Sequence, residues 1–372
     1  MCPGVGHIGR GYETFSIELA AELHKVGMKN VILVKGAGNK TQNEIPVFCL
    51  KRTGKFTKTL STWTGIGCYT LEQFTFFLSS LLLIVTRKPR VIIYSDFMLG
   101  VWLWYLRKFL KLKYKLLFSN GAPNGPPFTR CDFVQQLLPF YKQQAIDAGE
   151  DSARHFVLPY AIEIPTQSAE EMQRDRLKSR KDLDVTDSTV ILCVAAINDS
   201  HKRISYLIDE VNALVNKKIV LIVLGQHNEE SLKIIQKGTK LLGSKFIAKT
   251  VSKGELHQYY LAADVFVLPS LSEGLPRVML EASSFGLPVF SHDYEVSRSV
   301  MGEFGYFTDF TQSGNLKNLL QEKLNDPTLM DLDATQRRRK YVRDYFSWDS
   351  LIIKYVSMVD HVISNSESPP NT

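Results

Sequence analysis

The sequence predicts an α/β protein made of two doubly wound, Rossmann-like domains. Short apolar runs rich in β-branched residues, such as Val190–Ala195 and Ile219–Leu224, alternate with segments of helical periodicity along most of the chain. This alternation is typical of parallel sheets that are covered by helices on both faces. A length of 372 residues suits two domains, each large enough to bury a core of its own.

The strands are expected in two series, one in each half of the chain. We predict them at Val31–Val34, Val91–Ser95, Lys115–Ser119, Phe156–Pro159, Val190–Ala195, Ile219–Leu224, Asp264–Leu268 and Leu287–Ser291. The helices that we predict between them include Glu13–Val26, Phe97–Leu112, Lys202–Asn216, Glu229–Leu242, Lys253–Ala262 and Arg277–Phe285.

A polar stretch separates the two series. Residues Ile164–Asp187 carry charges of both signs and few apolar side chains, so we place the domain boundary between residues 163 and 164. The second domain then covers 164–345, and residues 365–372 form a tail. In open α/β sheets, ligands bind at the carboxyl ends of the strands, so we expect the chemistry in a cleft between the domains.

The charge of the chain is unevenly distributed. The net charge is +7 and the pI is about 9.0. Residues 1–160 hold 20 Lys and Arg against 10 Asp and Glu, whereas residues 161–372 hold 25 against 28. A basic half typically meets nucleic acid, an anionic membrane surface or phosphorylated ligands. With 44% hydrophobic and 22% charged residues, the composition excludes a disordered or fibrous chain.

Cysteine usage and the apolar segments favour a cytoplasmic protein. The five cysteines show no C-x-x-C spacing, which argues against a disulfide framework or a zinc site. The residues after Met1 lack the pattern of a signal peptide. The apolar segment Gln73–Thr86 is 14 residues long, so we interpret it as a buried core helix rather than a membrane span.

A glycine-rich loop at Gly4–Gly9 has the letters G-x-G-x-x-G of a dinucleotide site. Only three residues precede it, so no strand leads into it, and Val31–Val34 is followed by Lys35 rather than by an acidic residue. Gly9 and Gly11 precede a predicted helix, whose first N–H groups could face a phosphate. A simple tight turn requires glycine equally well, so this segment alone does not distinguish a phosphate site from a turn.

The most informative segment is Ala263–Ala282, which predicts a strand, a loop and a helix. Glu273 lies in the loop and Glu281 on the second turn of the helix, where both carboxylates could accept hydrogen bonds from sugar hydroxyls. Pro276 suits the first helical turn. The N–H groups at the helix start are expected to point at an anion; they belong to Gly274, Leu275 and Arg277.

A second loop from strand to helix lies at Ala195–Arg203. It offers Lys202 and Arg203 as phosphate partners at the same edge of the sheet.

Together these residues resemble the retaining glycosyltransferases of the GT-B fold, family 4. That family carries E-x7-E, matched by Glu273 and Glu281, and a lysine before the first helix of its second domain, matched by Lys202. Its early glycine loop is matched by Gly9 and Gly11. The resemblance implies two Rossmann-like domains that face a central cleft. The first is then 1–163, rejoined by a C-terminal helix at 346–364.

The resemblance also implies roles for the matched residues. The donor would be a nucleotide-diphosphosugar, with Glu281 on the ribose, Glu273 on the transferred sugar, Lys202 on the diphosphate, and Gly11 on the phosphates from across the cleft. The acceptor would be a glycan, a lipid-linked molecule or another small hydroxyl compound. No cofactor is implied, because the nucleotide-sugar is a substrate.

The sequence departs from the family pattern at several places. The family usually has Arg five positions before the lysine, where this chain has Ile197. Diphosphate binding then depends on Lys202, with Arg203 or Arg277 as substitutes. The family's histidine after a first-domain strand is also missing. Asp96 or Asn120 could take its place, with Arg10 on the acceptor side. The family's first strand would already be complete at Met1, so we expect the natural start further upstream.

Metal and nucleic-acid binding are not expected. The triplets Asp182–Asp184 and Asp331–Asp333 do not follow predicted strands, and the histidines show no metal-ligand spacing, so we interpret both triplets as solvated acids. We interpret the run Arg337–Lys340 as a solvated helix face, because nearby aspartates balance its charge.

Three hypotheses for function remain. The leading one is a metal-independent, retaining glycosyltransferase in polysaccharide or glycoconjugate synthesis. The alternatives are an NAD(P)-dependent oxidoreductase that uses the Gly4–Gly9 loop and a catalytically silent GT-B binding protein. The cations at Arg107–Lys115, mixed with aromatic residues such as Trp102 and Trp104, suit a peripheral site at the anionic inner membrane face or, equally, solvated lysines over a buried aromatic face.

Overall fold

The computed structural model describes residues 1–122, 124–215 and 218–365, so all of the expected tail except Asn365 lies outside the described residues. The chain divides into two compact units. Unit 1 comprises Met1–Ala161 and Trp348–Thr372, and unit 2 comprises Ile162–Ser347.

Parallel strands alternate with helices through both units. The strands are β1 (Leu33–Lys35), β2 (Glu44–Pro46), β3 (Val91–Tyr94), β4 (Lys115–Asn120), β5 (Phe133–Gln136), β6 (His155–Val157), β7 (Thr189–Val194), β8 (Ile219–Leu224), β9 (Phe246–Lys249), β10 (Val265–Leu268), β11 (Val289–His292) and β12 (Gly305–Thr308). The helices are α1 (Gly11–Lys25), α2 (Lys55–Thr64), α3 (Cys68–Arg87), α4 (Phe97–Leu110), α5 (Pro139–Asp147), α6 (Ala169–Asp182), α7 (Ile204–Asn212), α8 (Ser231–Leu242), α9 (Lys253–Ala262), α10 (Arg277–Ser284), α11 (Glu295–Met301), α12 (Asn315–Lys323), α13 (Leu332–Phe346) and α14 (Trp348–Ser364).

Unit 2 is built on one parallel sheet with the strand order β12-β11-β10-β7-β8-β9. This is the doubly wound order, in which the direction of winding reverses between β7 and β10. The central strands are continuous apolar runs because helices cover both faces of the sheet. In β8, for example, Leu221, Ile222 and Val223 are fully buried.

Unit 1 contains a two-stranded pair, β1-β2, and a four-stranded sheet, β3-β4-β5-β6, again with parallel pairing. Cys2 forms an isolated parallel bridge with Lys35 at the end of β1. The core of the four-stranded sheet is aromatic and aliphatic, and includes Phe76, Leu99, Leu103 and Leu116.

The C-terminal helix α14 packs within unit 1. The hydroxyl of Tyr355 donates a hydrogen bond to the carbonyl oxygen of Pro159 at 2.7 Å, and Trp348 stacks on Phe15 with ring centroids 5.8 Å apart. These contacts explain why the last helix belongs to the same compact unit as the first half of the chain.

The polar stretch 164–187 contains a helix and belongs to unit 2. It contains α6, whose start is a capping box between Ser168 and Glu171. Arg180 is buried on this helix and donates to the carbonyl oxygen of Ala262 at 2.7 Å and to the Asp264 carboxylate at 3.1 Å. Charged residues of this stretch therefore attach the helix to its own unit.

The interpretation of Arg337–Lys340 as a solvated helix face is wrong for two of its residues. Arg338 and Arg339 are buried rather than solvated. Arg338 donates to the carbonyl oxygens of Gly286 and Leu329, each at 2.7 Å, so its charge serves to hold α13 in place. The pattern of charges along a helical sequence does not show which cationic side chains are buried and donate to backbone carbonyl oxygens.

Helix α3 is longer than the apolar segment that predicted it. It has 20 residues and a mean hydropathy of 1.5 over its most apolar window, so by length and composition alone it could cross a membrane. Only 39% of that window is buried. One face, with Phe76, Phe77 and Ile84, packs into the core of unit 1. The other face is exposed, at Phe74, Leu78, Leu82 and Val85.

We predict that Arg180→Met destabilises unit 2. The substitution leaves the Asp264 carboxylate and several carbonyl oxygens without their buried donor, which costs about 3 kcal/mol. The midpoint of urea unfolding should fall, whereas Arg174→Met should leave it unchanged, because the Arg174 side chain is 74% exposed. Equal midpoints for the two variants would show that Arg180 does not hold α6.

Candidate functional site

The loop between β7 and α7 is fixed by its own hydrogen bonds. The side-chain oxygen of Asn198 accepts from the N–H groups of His201 at 3.2 Å and Lys202 at 2.8 Å. The Glu230 carboxylate accepts from the N–H groups of Asp199 at 2.7 Å and Ser200 at 3.0 Å. The backbone that carries Lys202 is therefore held from two sides. Neither Asn198 nor Glu230 was expected from the sequence to hold this loop.

The loop between β10 and α10 departs in two respects from the expected anion site. Helix α10 begins at Arg277, so Pro276 lies just before the first turn rather than within it. The N–H of Arg277 donates to the carbonyl oxygen of Leu275 at 2.9 Å. This N–H is therefore used within the loop and does not face an anion, which corrects the sequence analysis.

The two loops meet at the carboxyl edge of the sheet. The Lys202 ammonium forms an ion pair with the Glu273 carboxylate, and both side chains are largely buried. The His201 ring nitrogen Nε2 contacts the carbonyl oxygen of Ser272 at 3.1 Å. These contacts arise because β7 and β10 are parallel neighbours, so the loops that follow them start side by side.

Glu281 lies on the second turn of α10 and is held by Tyr260. The Tyr260 hydroxyl donates to Glu281 Oε2 at 3.1 Å. Burial raises the pKa of Tyr260 well above its ordinary value, so the hydroxyl keeps its proton and remains a donor to the carboxylate. Tyr260 in turn stacks on Phe285 with ring centroids 5.1 Å apart. We call Lys202, Glu273 and Glu281 the switch-point site.

Arg203 points elsewhere. It adopts a left-handed backbone conformation with φ of 50° just before α7. Its guanidinium donates to the carbonyl oxygen of Phe310 at 2.8 Å and lies 4.4 Å above the Tyr206 ring. The structure thus brings Lys202 to Glu273 but directs Arg203 toward the segment after β12.

In unit 1, the first two glycines of the glycine-rich segment, Gly4 and Gly6, are required by local packing and backbone conformation. A Cβ on Gly4 would come within 2.3 Å of the Glu13 carboxylate, and Gly6 has a φ of +96°. The N–H of Ala37 donates to the carbonyl oxygen of Val5 at 3.0 Å, which attaches the loop to the segment after β1. Gly9, Arg10 and Gly11 are exposed at the start of α1.

Asp96 is buried in a polar cluster of unit 1 that the sequence analysis did not find. It follows β3 and accepts a hydrogen bond from the Tyr69 hydroxyl. Burial raises the pKa of Asp96, against the effect of that hydrogen bond. The Arg52 guanidinium lies 4.4 Å above the Tyr69 ring and pairs with Glu72. His7 contacts the same Glu72 at 2.6 Å.

Asn120 lies at the end of β4, and its side chain forms hydrogen bonds with neighbouring residues of unit 1. Its side-chain amide nitrogen donates to Gln136 Oε1 at 2.9 Å and to the carbonyl oxygen of Asn124 at 3.0 Å. It is buried, and the structure does not bring it into hydrogen-bond contact with Asp96.

Within the described residues, no group of three or more His, Cys, Asp or Glu side chains could hold a metal ion. Asp331, which the sequence analysis interpreted as a solvated acid, caps α13 by accepting from the N–H of Ala334 at 2.7 Å.

Comparison with known proteins finds a family model that matches within unit 2. Residues 175–344 match the model described as glycosyl transferases group 1. The matched segment contains the whole switch-point site.

Among sequence relatives, TuaC of Bacillus subtilis (strain 168), whose name proposes a glycosyltransferase role in teichuronic acid biosynthesis, is 28% identical over 156 residues. The match covers 42% of this chain and 37% of TuaC, so the chain spans well under half the length of that relative.

Solved structures resemble the chain over nearly its whole length. HepE (Alr3699) of Anabaena, solved in complex with UDP and glucose, is 16% identical and has a TM-score of 0.72, with 97% of this chain and 98% of that chain covered. Sucrose-phosphate synthase from Thermosynechococcus elongatus is 15% identical with a TM-score of 0.76, and 96% and 94% are covered. These similarities establish the fold as GT-B, as the sequence resemblance implied.

Proposed function

We propose that this protein is a glycosyltransferase that moves a sugar from a nucleotide-diphosphosugar to an acceptor hydroxyl. The contact between Lys202 and Glu273, with Glu281 on the adjoining helix of a segment that matches the group 1 model, is the observation that carries this proposal. It lies where the winding of the sheet reverses, which is where doubly wound sheets bind nucleotides.

Lys202 binds the donor diphosphate. Its ammonium is a compact charge on a flexible stem, and its backbone is held by Asn198. Without donor, the ammonium pairs with Glu273. A diphosphate offers a stronger anionic partner, so binding draws the ammonium away and leaves the Glu273 carboxylate to accept hydrogen bonds from the sugar hydroxyls.

Glu281 binds the ribose. A carboxylate can accept hydrogen bonds from two neighbouring hydroxyls at once, and the bond from Tyr260 fixes its orientation before donor arrives. Because Glu273 and Glu281 are both acidic, the site requires a cation for the diphosphate, and Lys202 is the cation that the structure brings to Glu273.

We propose a retaining, metal-independent reaction. The bond between the anomeric carbon and the diphosphate oxygen breaks while Lys202 stabilises the negative charge of the departing diphosphate. The acceptor oxygen forms the new bond on the same face, and its proton passes to the leaving phosphate oxygen. The retaining course rests on the resemblance to family 4. The absence of a metal rests on the sequence, in which neither aspartate triplet follows a predicted strand and the histidines show no metal-ligand spacing.

Unit 1 binds the acceptor in this proposal. Asp96 is the candidate for assisting at the anomeric centre, since burial raises its pKa and it lies at the carboxyl end of β3. Arg10 is exposed and adds a cation. Asn120 contributes to acceptor binding indirectly, by holding the loop that follows β4, because its amide nitrogen donates to Asn124 and Gln136.

The surface of unit 1 supports a peripheral position at an anionic membrane. Trp63 at the end of α2 is 84% exposed, and Phe109 at the end of α4 is 86% exposed. Exposed lysines lie near each of them in sequence, Lys58 on α2 and Lys108 on α4. Aromatic side chains with neighbouring cations favour an anionic lipid interface. A lipid-linked acceptor would be presented there.

We predict that wild-type protein consumes at least one member of a panel of UDP-, GDP- and ADP-sugars, with or without EDTA, and that Lys202→Met lowers kcat/KM about 100-fold. Release of nucleotide with and without simple acceptors is the measurement. Glu281→Ala should abolish transfer while the protein stays folded.

Lys237→Met is the matched control, because Lys237 pairs with Asp209 at 2.6 Å on the surface of the same unit. Full activity of Lys202→Met or Glu281→Ala would refute the assignment of the site. NADPH binding without any use of nucleotide-sugars would favour an oxidoreductase instead.

We predict that the protein sediments with phosphatidylserine vesicles at low salt and is released at high salt. The double variant Trp63→Ser with Phe109→Ser should bind several-fold more weakly, because it removes the exposed aromatic contacts. Leu232→Ser, at an exposed apolar residue of unit 2, serves as the control. Equal sedimentation of both variants and wild type would contradict a membrane role for this surface.

A further inference from the structure

The backbone of Arg203, directly after Lys202, is left-handed. Its φ is 50° and its ψ is 43°, at the position just before the first residue of α7. A residue in this position usually has an extended backbone, and the left-handed region is unfavourable for an arginine. Such a conformation persists only where the surrounding structure holds it. The contacts of the Arg203 side chain show what holds it here.

The Arg203 side chain is anchored to the segment that follows β12, residues 309–314, which we call the β12 loop. Its guanidinium donates to the carbonyl oxygen of Phe310 at 2.8 Å. Phe310 is fully buried, and its own N–H donates to Nδ1 of His292 at 3.1 Å. The Cζ atom of Arg203 lies 4.4 Å from the centroid of the Tyr206 ring, which lies 5.8 Å from the centroid of the Phe310 ring. The guanidinium is thus fixed on two sides.

The β12 loop is itself held by α7. The buried carboxylate of Glu210 accepts from the N–H groups of Gly314 at 2.6 Å and Lys317 at 2.8 Å. Glu210 lies seven residues after Arg203, about two helical turns, so both contact the loop from the same face of the helix. This face and the β12 loop brace each other, and Arg203 is the member of the brace that adjoins Lys202.

The backbone at Arg203 sets how the chain passes from Lys202 into α7. The N–H of Lys202 donates to Asn198 Oδ1 at 2.8 Å, and the N–H of Ile204 donates to the Asn198 carbonyl oxygen at 3.2 Å. Asn198 thus accepts from both neighbours of Arg203. Rotation of the Arg203 backbone to an extended conformation would turn these two N–H groups away from each other, so that Asn198 could no longer accept from both. The left-handed backbone therefore keeps Lys202 where it contacts Glu273.

The first N–H groups of α7 are used within the loop. That of Ile204 donates to Asn198, and that of Ser205 donates to Asp199 Oδ1 at 2.7 Å. Asp199 also places a negative charge beside them. The Lys202 ammonium is then the group of this loop that meets a diphosphate, so its position decides how well the loop stabilises one. Misplacement of such a group by about 1 Å can lower a rate about 100-fold.

We propose that Arg203 is a positioning residue for Lys202. The β12 loop holds the Arg203 side chain, the side chain holds its backbone in the left-handed conformation, and that backbone directs Lys202 to the donor diphosphate. The guanidinium itself does not contact the donor. This inference rests on the proposed function of Lys202, and it adds the β12 loop, which carries none of the matched motif residues, to the groups that support transfer.

Two substitutions separate the backbone of Arg203 from its charge. Arg203→Ala removes the anchors and leaves a residue for which this backbone is unfavourable, so kcat/KM for the nucleotide-sugar should fall about tenfold. Arg203→Gly removes the same charge, but glycine adopts this backbone freely, so kcat/KM should stay within about threefold of wild type. Equal values for the two variants would overturn the proposal, because a guanidinium that contacts the donor is lost equally in both.

A double-mutant cycle with Lys202 tests the route of the effect. Because Arg203 acts through Lys202, Arg203→Ala should lower kcat/KM less than about twofold in a Lys202→Met background, where no ammonium is left to position. A further loss of about tenfold in that background would contradict the proposal and would give Arg203 an independent role.

Asp184 provides the matched control, because it also has a left-handed backbone, with a φ of 54°, and lies exposed in unit 2. Asp184→Ala and Asp184→Gly should both leave kcat/KM unchanged. Without ligand, amide exchange at Lys202 and Ile204 should be at least about fivefold faster in Arg203→Ala than in Arg203→Gly, and equal exchange would also overturn the proposal. If exchange differs as expected but wild-type protein uses no nucleotide-sugar, Arg203 still holds Lys202 and only the proposed function fails.

Discussion

The adjacency of β7 and β10 in unit 2 is the constraint on which the candidate site depends. These two strands are separated by two others in sequence but are parallel neighbours in the sheet. Their following loops must therefore start at one edge, and Lys202 meets Glu273 although 71 residues separate them. Any change in strand order would separate the cation from the carboxylate, whatever the loops themselves contained.

Local hydrogen bonds then give that edge a defined shape without ligand. Asn198 and Glu230 hold the backbone before Lys202, and Tyr260 holds Glu281. Sites that are arranged in advance lose less free energy on binding than sites that must order first. The ion pair of Lys202 with Glu273 has a second consequence, because each partner is kept in place and neutralised until an anionic ligand competes for the lysine.

Much of the fold of unit 2 could be predicted from sequence, because its central strands are unbroken apolar runs. Lys202 and Glu273 lie in the loops after two of these strands, and Glu281 lies on the helix that follows the second loop. Ion pairs and hydrogen bonds between residues far apart in sequence could not be predicted, because a local sequence pattern does not show which distant residue a charged side chain contacts. Arg338 was therefore expected to be solvated although it is buried, and the pairing of Arg180 with Asp264 was not expected. The cluster around Asp96 was missed for the same reason, because Tyr69 and Arg52 come from separate segments.

We propose above all that the edge formed after β7 and β10 binds the nucleotide diphosphate of a sugar donor. Hydrogen exchange of the full chain with UDP, GDP or ADP measures this most directly. At least one nucleotide should slow exchange in the segments 195–204 and 270–282, and Lys202→Met should remove that protection. Protection confined to residues 4–11 by NADPH, with none at the two loops by any nucleotide diphosphate, would contradict the claim.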